Sequence, residues 1–161
     1  MTLGRSTATS VVDLYLARGR LRAEVPMLGF SRLSDLFNNA PGEFIAAYTY
    51  LAATATRRDL VVRLRDVRLV RPIDERVTPG FKGDLADRLP ARVVLDLDDW
   101  QVTGEIYLVD RVPWLDFATG ARSRFISVNN ASVRFVGIAE PLECDYLLVN
   151  GARISALYEV D

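Results

Sequence analysis

Histidine is absent from this chain. That removes the commonest general base and the commonest transition-metal ligand among side chains. Cysteine occurs once, as Cys144, so no internal disulfide can form. One Cys without His excludes zinc fingers, zinc hydrolases and Cys–His or Ser–His catalysis. A lone cysteine also suits a reducing compartment, and a cytoplasmic location is expected. Lysine is nearly missing, since all of the 20 basic residues except Lys82 are arginine. Neither GxxxxGK[ST] nor a strand-linked GxGxxG is present, which excludes phosphate cradles of those kinds. No apolar run approaches the roughly 18 residues of a membrane-spanning helix. The opening MTLGRSTATSVVDLYL has no apolar core before a small-residue cleavage site, so no signal peptide is expected. These gaps lead to an expectation of no enzymatic activity, no cofactor and no metal.

What is present suits a globular protein: 50% hydrophobic and 25% charged residues in a chain of 161, enough for one ordinary domain or two small ones. The organisation comes from an internal repeat. Sliding the chain along itself by 81 positions, without a gap, lays Leu14 on Leu95, Leu16 on Leu97, Glu24 on Glu105, Asp35 on Asp116 and Phe44 on Phe125. After a loop that is longer in the second half, register resumes at an offset of 87, with DLVVRLRDVRLV (59–70) on YLLVNGARISAL (146–157). The reading is a first repeat over 1–73, a linker over 74–90 and a second repeat over 91–161. The linker holds Pro, Gly and charges, with a helical turn expected at 84–88.

Each repeat alternates apolar and polar residues at the period of a half-buried strand. Val12, Leu14 and Leu16 are followed by a turn at Ala17–Gly19 and then Leu21, Ala23, Val25 and Met27. The second copy turns at Asp98–Asp99, and these carboxylates with Asp96 and Glu105 are read as turn and strand residues, not a cation site. Third strands are expected at Phe44–Tyr50 and Phe125–Phe135. Closing hairpins are expected to turn at Arg65–Asp66 and at Asn150–Gly151, a strong hairpin dipeptide. Five short antiparallel strands must hide two edges, and curling into a small barrel does so. The expected fold is mainly β: two tandem small antiparallel barrels, each with a short helical insert between its second and third strands.

The insert of the first repeat is GFSRLSDLFNNAPG (29–42). Ser31 suits an N-cap, Asp35 lies in the first turn, and Phe30, Leu33, Leu36 and Phe37 share one face. The second copy keeps Trp114 and Phe117, while Pro113 and Gly120 shorten it. The insert either plugs its own barrel or leaves Phe30, Leu33, Leu36, Phe37, Trp114 and Phe117 as a docking surface.

The run Arg32-Leu33-Ser34-Asp35-Leu36-Phe37-Asn38, followed by Phe44-Ile45, resembles a small bacterial β-domain family of unknown function that carries an RLSD-apolar-apolar-N segment after a hairpin. The resemblance covers the first repeat, whereas the second keeps only Asp116, Phe117 and Phe125-Ile126. It implies no activity. More distantly, LARGRLRAEVPMLGF and YLLVNGARISALYEV are similar to the two motifs of Sm-like barrels. That implies a barrel topology but not Sm-type RNA recognition, because the helical insert occupies the place of the RNA-binding loop.

Charge divides the chain, with a net +4 over 1–80 and −5 over 81–161, which favours association between copies or chains. Arg57, Arg58, Arg63, Arg65 and Arg68, with Arg71 beyond, form the densest basic run. It reads as a solvated or intersubunit face, or as an anion or nucleic-acid site. The expected function is a non-enzymatic binding or assembly module acting through a protein partner or self-association. A nucleic-acid-binding barrel and a small-ligand sensory domain stand as alternatives, and no membrane partner is expected.

Overall fold

The computed structural model describes residues 8–50, 54–74, 88–120 and 124–161. The chain divides into two compact units, Met1–Phe81 and Lys82–Asp161. Most of the expected linker, including 84–87 of the helical turn expected at 84–88, lies outside the described residues. The fold is mainly β and all-antiparallel, with two short α-helices among the described residues.

In the first unit, β1 (Thr9–Leu16) and β2 (Gly19–Pro26) form a hairpin. Then come α1 (Leu33–Asn39), β3 (Phe44–Tyr50), β4 (Arg57–Arg63), a 3₁₀ turn (Leu64–Asp66) and β5 (Leu69–Pro72). The strand order is β5-β1-β2-β3-β4. The second unit runs β6 (Leu89–Leu97), β7 (Trp100–Leu108), α2 (Trp114–Thr119), β8 (Phe125–Phe135), β9 (Leu142–Asn150), a 3₁₀ turn (Gly151–Arg153) and β10 (Ala156–Glu159). Its order is β10-β6-β7-β8-β9.

Residue pairing repeats as well as element order. Leu14 opposes Leu21 as Leu95 opposes Val102, and Glu24 opposes Tyr48 as Glu105 opposes Asn129. Across the later offset, Ile45 opposes Val62 as Ile126 opposes Val149. Leu14 opposes Val70 as Leu95 opposes Leu157.

The expected closing hairpins are not there. After β4 the chain makes the 3₁₀ turn, in which Leu64 N–H donates to Glu43 O at 2.8 Å and Val67 N–H to Leu64 O at 3.1 Å. Leu64 and Val67 are both fully buried, so the segment crosses the end of the core, and β5 pairs with β1. Asn150-Gly151 behaves likewise. Asn150 has φ −68°, not the positive value of a tight hairpin turn, and its side-chain Oδ1 accepts from Ala152 N–H at 3.0 Å.

Nor is the sheet closed into a barrel: among the described residues no ladder joins β4 to β5 or β9 to β10. It is nonetheless curled. The outer strands of a flat five-stranded sheet would lie about 19 Å apart. A 3₁₀ turn rises only about 2 Å per residue, so the short link from Arg63 to Leu69 can connect those strands only if the sheet bends round its core. The inner faces supply that core, including Val12, Leu14, Val25 and Ile45 in the first unit and Val93, Leu95, Val102 and Val128 in the second.

Candidate functional sites

The two helical inserts occupy the same place in sequence and pack differently. In α1, Arg32 Nε holds Asp35 Oδ2 at 2.7 Å and Leu36 N–H donates to Arg32 O at 3.2 Å. The helix begins at Leu33 behind an Arg32 N-cap without a side-chain capping bond, so the expected Ser31 cap is not used. Its apolar face is core: Leu33, Leu36 and Phe37 are 0% exposed. Phe30 lies half-buried before the helix. Leu33, Leu36 and Phe37 therefore offer no surface to a partner, which corrects the docking reading for this repeat. Full burial of three large side chains at roughly 1.5–3 kcal/mol each outweighs leaving them in water.

In α2 no residue is buried. Pro113 precedes the helix, and Phe117 N–H donates to Pro113 O at 3.0 Å. Trp114 takes the position of the buried Leu33. Its indole Nε1 donates to Glu159 Oε2 on β10 at 3.1 Å, and its ring meets Phe117 edge-on at 5.5 Å between centroids. Leu115 is 72% exposed. Beneath the helix a cleft of about 290 Å³ opens, lined by Phe117, Ala118, Ile126, Gly151, Ile154 and Leu157 on its apolar side, with Arg124 also part of its wall.

The origin of the cleft is visible when the units are compared position by position. Ala118 stands at the place of Phe37, the fifth residue of each helix, and Gly151 at the place of Leu64, the first residue of each 3₁₀ turn. Phe37 and Leu64 are fully buried in the first unit. Two large core side chains are thus missing from the second, at two points that line the same cleft. Close packing makes such a loss felt as a void or a displaced element. Of the two residues expected to dock a partner in this repeat, Phe117 lines this cleft and Trp114 does not; both are half-buried. Ala118, Gly151, Ile154 and Leu157 were not anticipated. The signal for them was the pair of large-to-small exchanges at offsets 81 and 87.

The arginine run does not make one face. Arg57 and Arg63 project from the outer side of β4, while Arg58 alternates to the other side. Arg65 belongs to the 3₁₀ turn, and Arg68 Nη1 donates back to Asp66 O at 2.7 Å. Instead, Arg57 and Arg63 meet aromatic rings on β3. The Arg57 guanidinium carbon sits 3.4 Å from the Tyr48 ring centroid and that of Arg63 4.9 Å from the Phe44 ring centroid. Phe44, Tyr48 and Tyr50 share the outer side of β3, with Phe44 46% and Tyr50 53% exposed. An aromatic row thus runs beside two of these arginines.

Arg20 and Arg22 both engage Asp13, and the glutamates at equivalent places in the two units hold polar side chains. Glu24 accepts from Thr9 Oγ1 at 2.6 Å and Tyr50 OH at 3.2 Å. Glu105 accepts from Tyr107 OH at 3.2 Å and Asn130 Nδ2 at 3.3 Å. Among the described residues no three metal-ligating side chains converge, and no helix is long and apolar enough to cross a membrane. No family model, curated protein or solved structure matches this chain.

Proposed function

We propose that this protein is a non-enzymatic binding module that captures a segment of a protein partner in the cleft beneath α2, while the first unit, with its end filled, acts as scaffold. One observation carries the reading: the same fold is complete where Phe37 and Leu64 stand and incomplete where Ala118 and Gly151 stand. An apolar cleft near 300 Å³ is at the small end of binding-site size, and an open apolar surface favours whatever covers it. Val109, Val112 and Leu115, on α2 and in the segment before it, are exposed and do not line the cleft. A polypeptide seated in the cleft can extend over such side chains where a small molecule cannot, which supports a polypeptide occupant.

The test restores the first unit's residues in the second. A Cβ added at Gly151 would meet its nearest atoms, Arg124 O and Ile126 Cδ1, at 3.4 and 3.6 Å, ordinary contact distances. An Ala118→Phe/Gly151→Leu variant therefore has room to fill the cleft. Peptides selected from a display library on the wild-type protein should lose binding to this variant. Selection of the same peptides by both proteins would overturn the reading.

A second reading is favoured by the β3–β4 face, where exposed aromatic rings and arginines combine as they do on surfaces that stack single-stranded bases. Asp59 on β4 and Glu24 on β2 dilute its positive charge. Salt-dependent binding of a labelled single-stranded oligonucleotide, lost in Phe44→Ala/Tyr50→Ala, would support it; binding unchanged in that variant would remove it.

A further inference from the structure

A cleft that captures a protein segment also specifies the chemistry of that segment, and this assignment rests on the docking function proposed above. The first unit shows which groups fit this end of the fold: a phenyl ring carried by Phe37 and an isobutyl group carried by Leu64, both fully buried. At the position of Glu43 in the first unit the second carries Arg124, an exchange of charge sign beside the vacated volume. Arg124 is exposed and, among the described residues, is the charged one that lines the cleft; Asp116 of α2 and Arg153 of the 3₁₀ turn do not line it. Among the described residues the Arg124 guanidinium has no ion pair, side-chain hydrogen bond or ring contact. Arg124 contributes to the wall and its side chain is exposed and unengaged, so an occupant with apolar groups and an acid close by meets both the cleft and a charge of opposite sign.

We propose that the cleft takes a protein segment presenting an aromatic side chain next to a branched aliphatic one, with a carboxylate side chain beside them that pairs with Arg124. The rings and methyl groups occupy the space vacated at Ala118 and Gly151, and the carboxylate sets orientation and discriminates against basic segments.

Fluorescence anisotropy with labelled, end-blocked octapeptides tests this. One peptide carries adjacent phenylalanine and leucine flanked by two glutamates; the others replace the glutamates with glutamines or lysines. The glutamate peptide should bind about two- to fivefold more tightly than the glutamine peptide, the gain expected of an exposed ion pair, with the lysine peptide weakest. Added salt should shrink the difference. Arg124→Glu, a surface exchange that leaves the apolar wall intact, should reverse the order, and Ala118→Phe/Gly151→Leu should abolish binding of all three. Equal affinity for the glutamate and glutamine peptides, with loss in the filled variant, overturns the charge assignment and leaves the docking reading standing. Uptake of 4-phenylbutyrate without binding of any peptide overturns both in favour of a small ligand. A dimer that the filled variant dissolves and no peptide displaces overturns both in favour of a second copy.

Discussion

Asp13 and Arg22 face each other across the β1–β2 ladder in a two-pronged ion pair, Nε to Oδ1 at 2.9 Å and Nη2 to Oδ2 at 3.2 Å. The carboxylate is fully buried while the arginine side chain is 56% exposed, and Arg20 stands 3.6 Å from the same acid. The bond to Asp13, with its charge, raises the Arg22 pKa above its ordinary value. Removing Arg22 strands a buried charge, whereas removing Asp13 leaves arginines that water can solvate. Arg22→Met should therefore cost about 2–3 kcal/mol, below the usual figure for a buried pair because Arg20 remains and Arg22 is half in solvent. Asp13→Val copies Val94, which holds the equivalent place in the second unit, and should be within about 1 kcal/mol of neutral. Urea unfolding of the two variants measures the asymmetry; equal losses would count against it.

The unequal ends of the two units predict unequal responses to truncation. Phe37→Ala empties a fully buried site and should destabilise by about 3–5 kcal/mol, transfer and cavity terms together. Leu115→Ala, on the exposed side of α2, should change stability by less than about 0.5 kcal/mol. Ala118→Phe with Gly151→Leu should stabilise, by about 1–2 kcal/mol, since the side chains enter an open cleft already walled by apolar groups. Thermal or urea unfolding distinguishes these cases, and a stable Phe37→Ala protein would refute the packing assigned to α1.

Much of this architecture could be read from residue order alone. Alternation located the third strands, Phe44–Tyr50 and Phe125–Phe135, with the bounds the structure gives them, because a strand with one buried face must alternate. The two offsets recur as strand registers for the same reason: pairing partners move together when a unit is copied. The local rule failed at Asn150, whose side chain caps a 3₁₀ turn, and whose segment is held by Gly151 N–H donating to Arg124 O at 2.9 Å, far away in sequence. The α2 insert kept an apolar pattern at Trp114 and Phe117, so it looked like a stopper. Whether a stopper seats depends on partners at 118 and 151, which sequence separates and the fold brings to one end. The aromatic row on β3 was likewise visible as alternation, but nothing local said that its outer side would stay uncovered.

Gly104 carries a further difference between the units, since Ala23 holds its place in the first. It lies in β7 where the pairing with β8 slips between Thr103 and Glu105. A Cβ there would overlap Val128 Cγ1, with Asn129 O at 3.0 Å and Ala131 Cα at 3.3 Å. The methyl side chain can yield only by turning Val128, itself fully buried, and the backbone atoms cannot yield without shifting the bulge. Gly104→Ala should cost about 1–3 kcal/mol as overpacking. Gly104→Ala combined with Val128→Ala should recover part of that loss, so the two effects should not add. Additive losses in urea unfolding would show that the contact does not limit this site.

Tyr15 links the first unit to pH. Its phenol is buried beside Asp13, and burial first, the Asp13 charge second, raise its pKa above the ordinary value, with Arg71 and Arg20 opposing the shift. The folded phenol keeps its proton to higher pH than the unfolded one. The resulting stability is complete below the unfolded value of about 10 and is lost as pH rises from there through the folded value, because the unfolded chain sheds the proton first. Tyr107 has the same direction of shift, caused first by desolvation and then by Glu105, so the experiment is best run in a Tyr107→Phe background. There, melting temperature should fall with rising pH above about 10, and Tyr15→Phe should flatten that fall while costing about 0.5–1.5 kcal/mol at neutral pH for the lost side-chain hydrogen bond with Arg71. Identical pH profiles with and without the Tyr15 hydroxyl would mean that its burial is not coupled to folding.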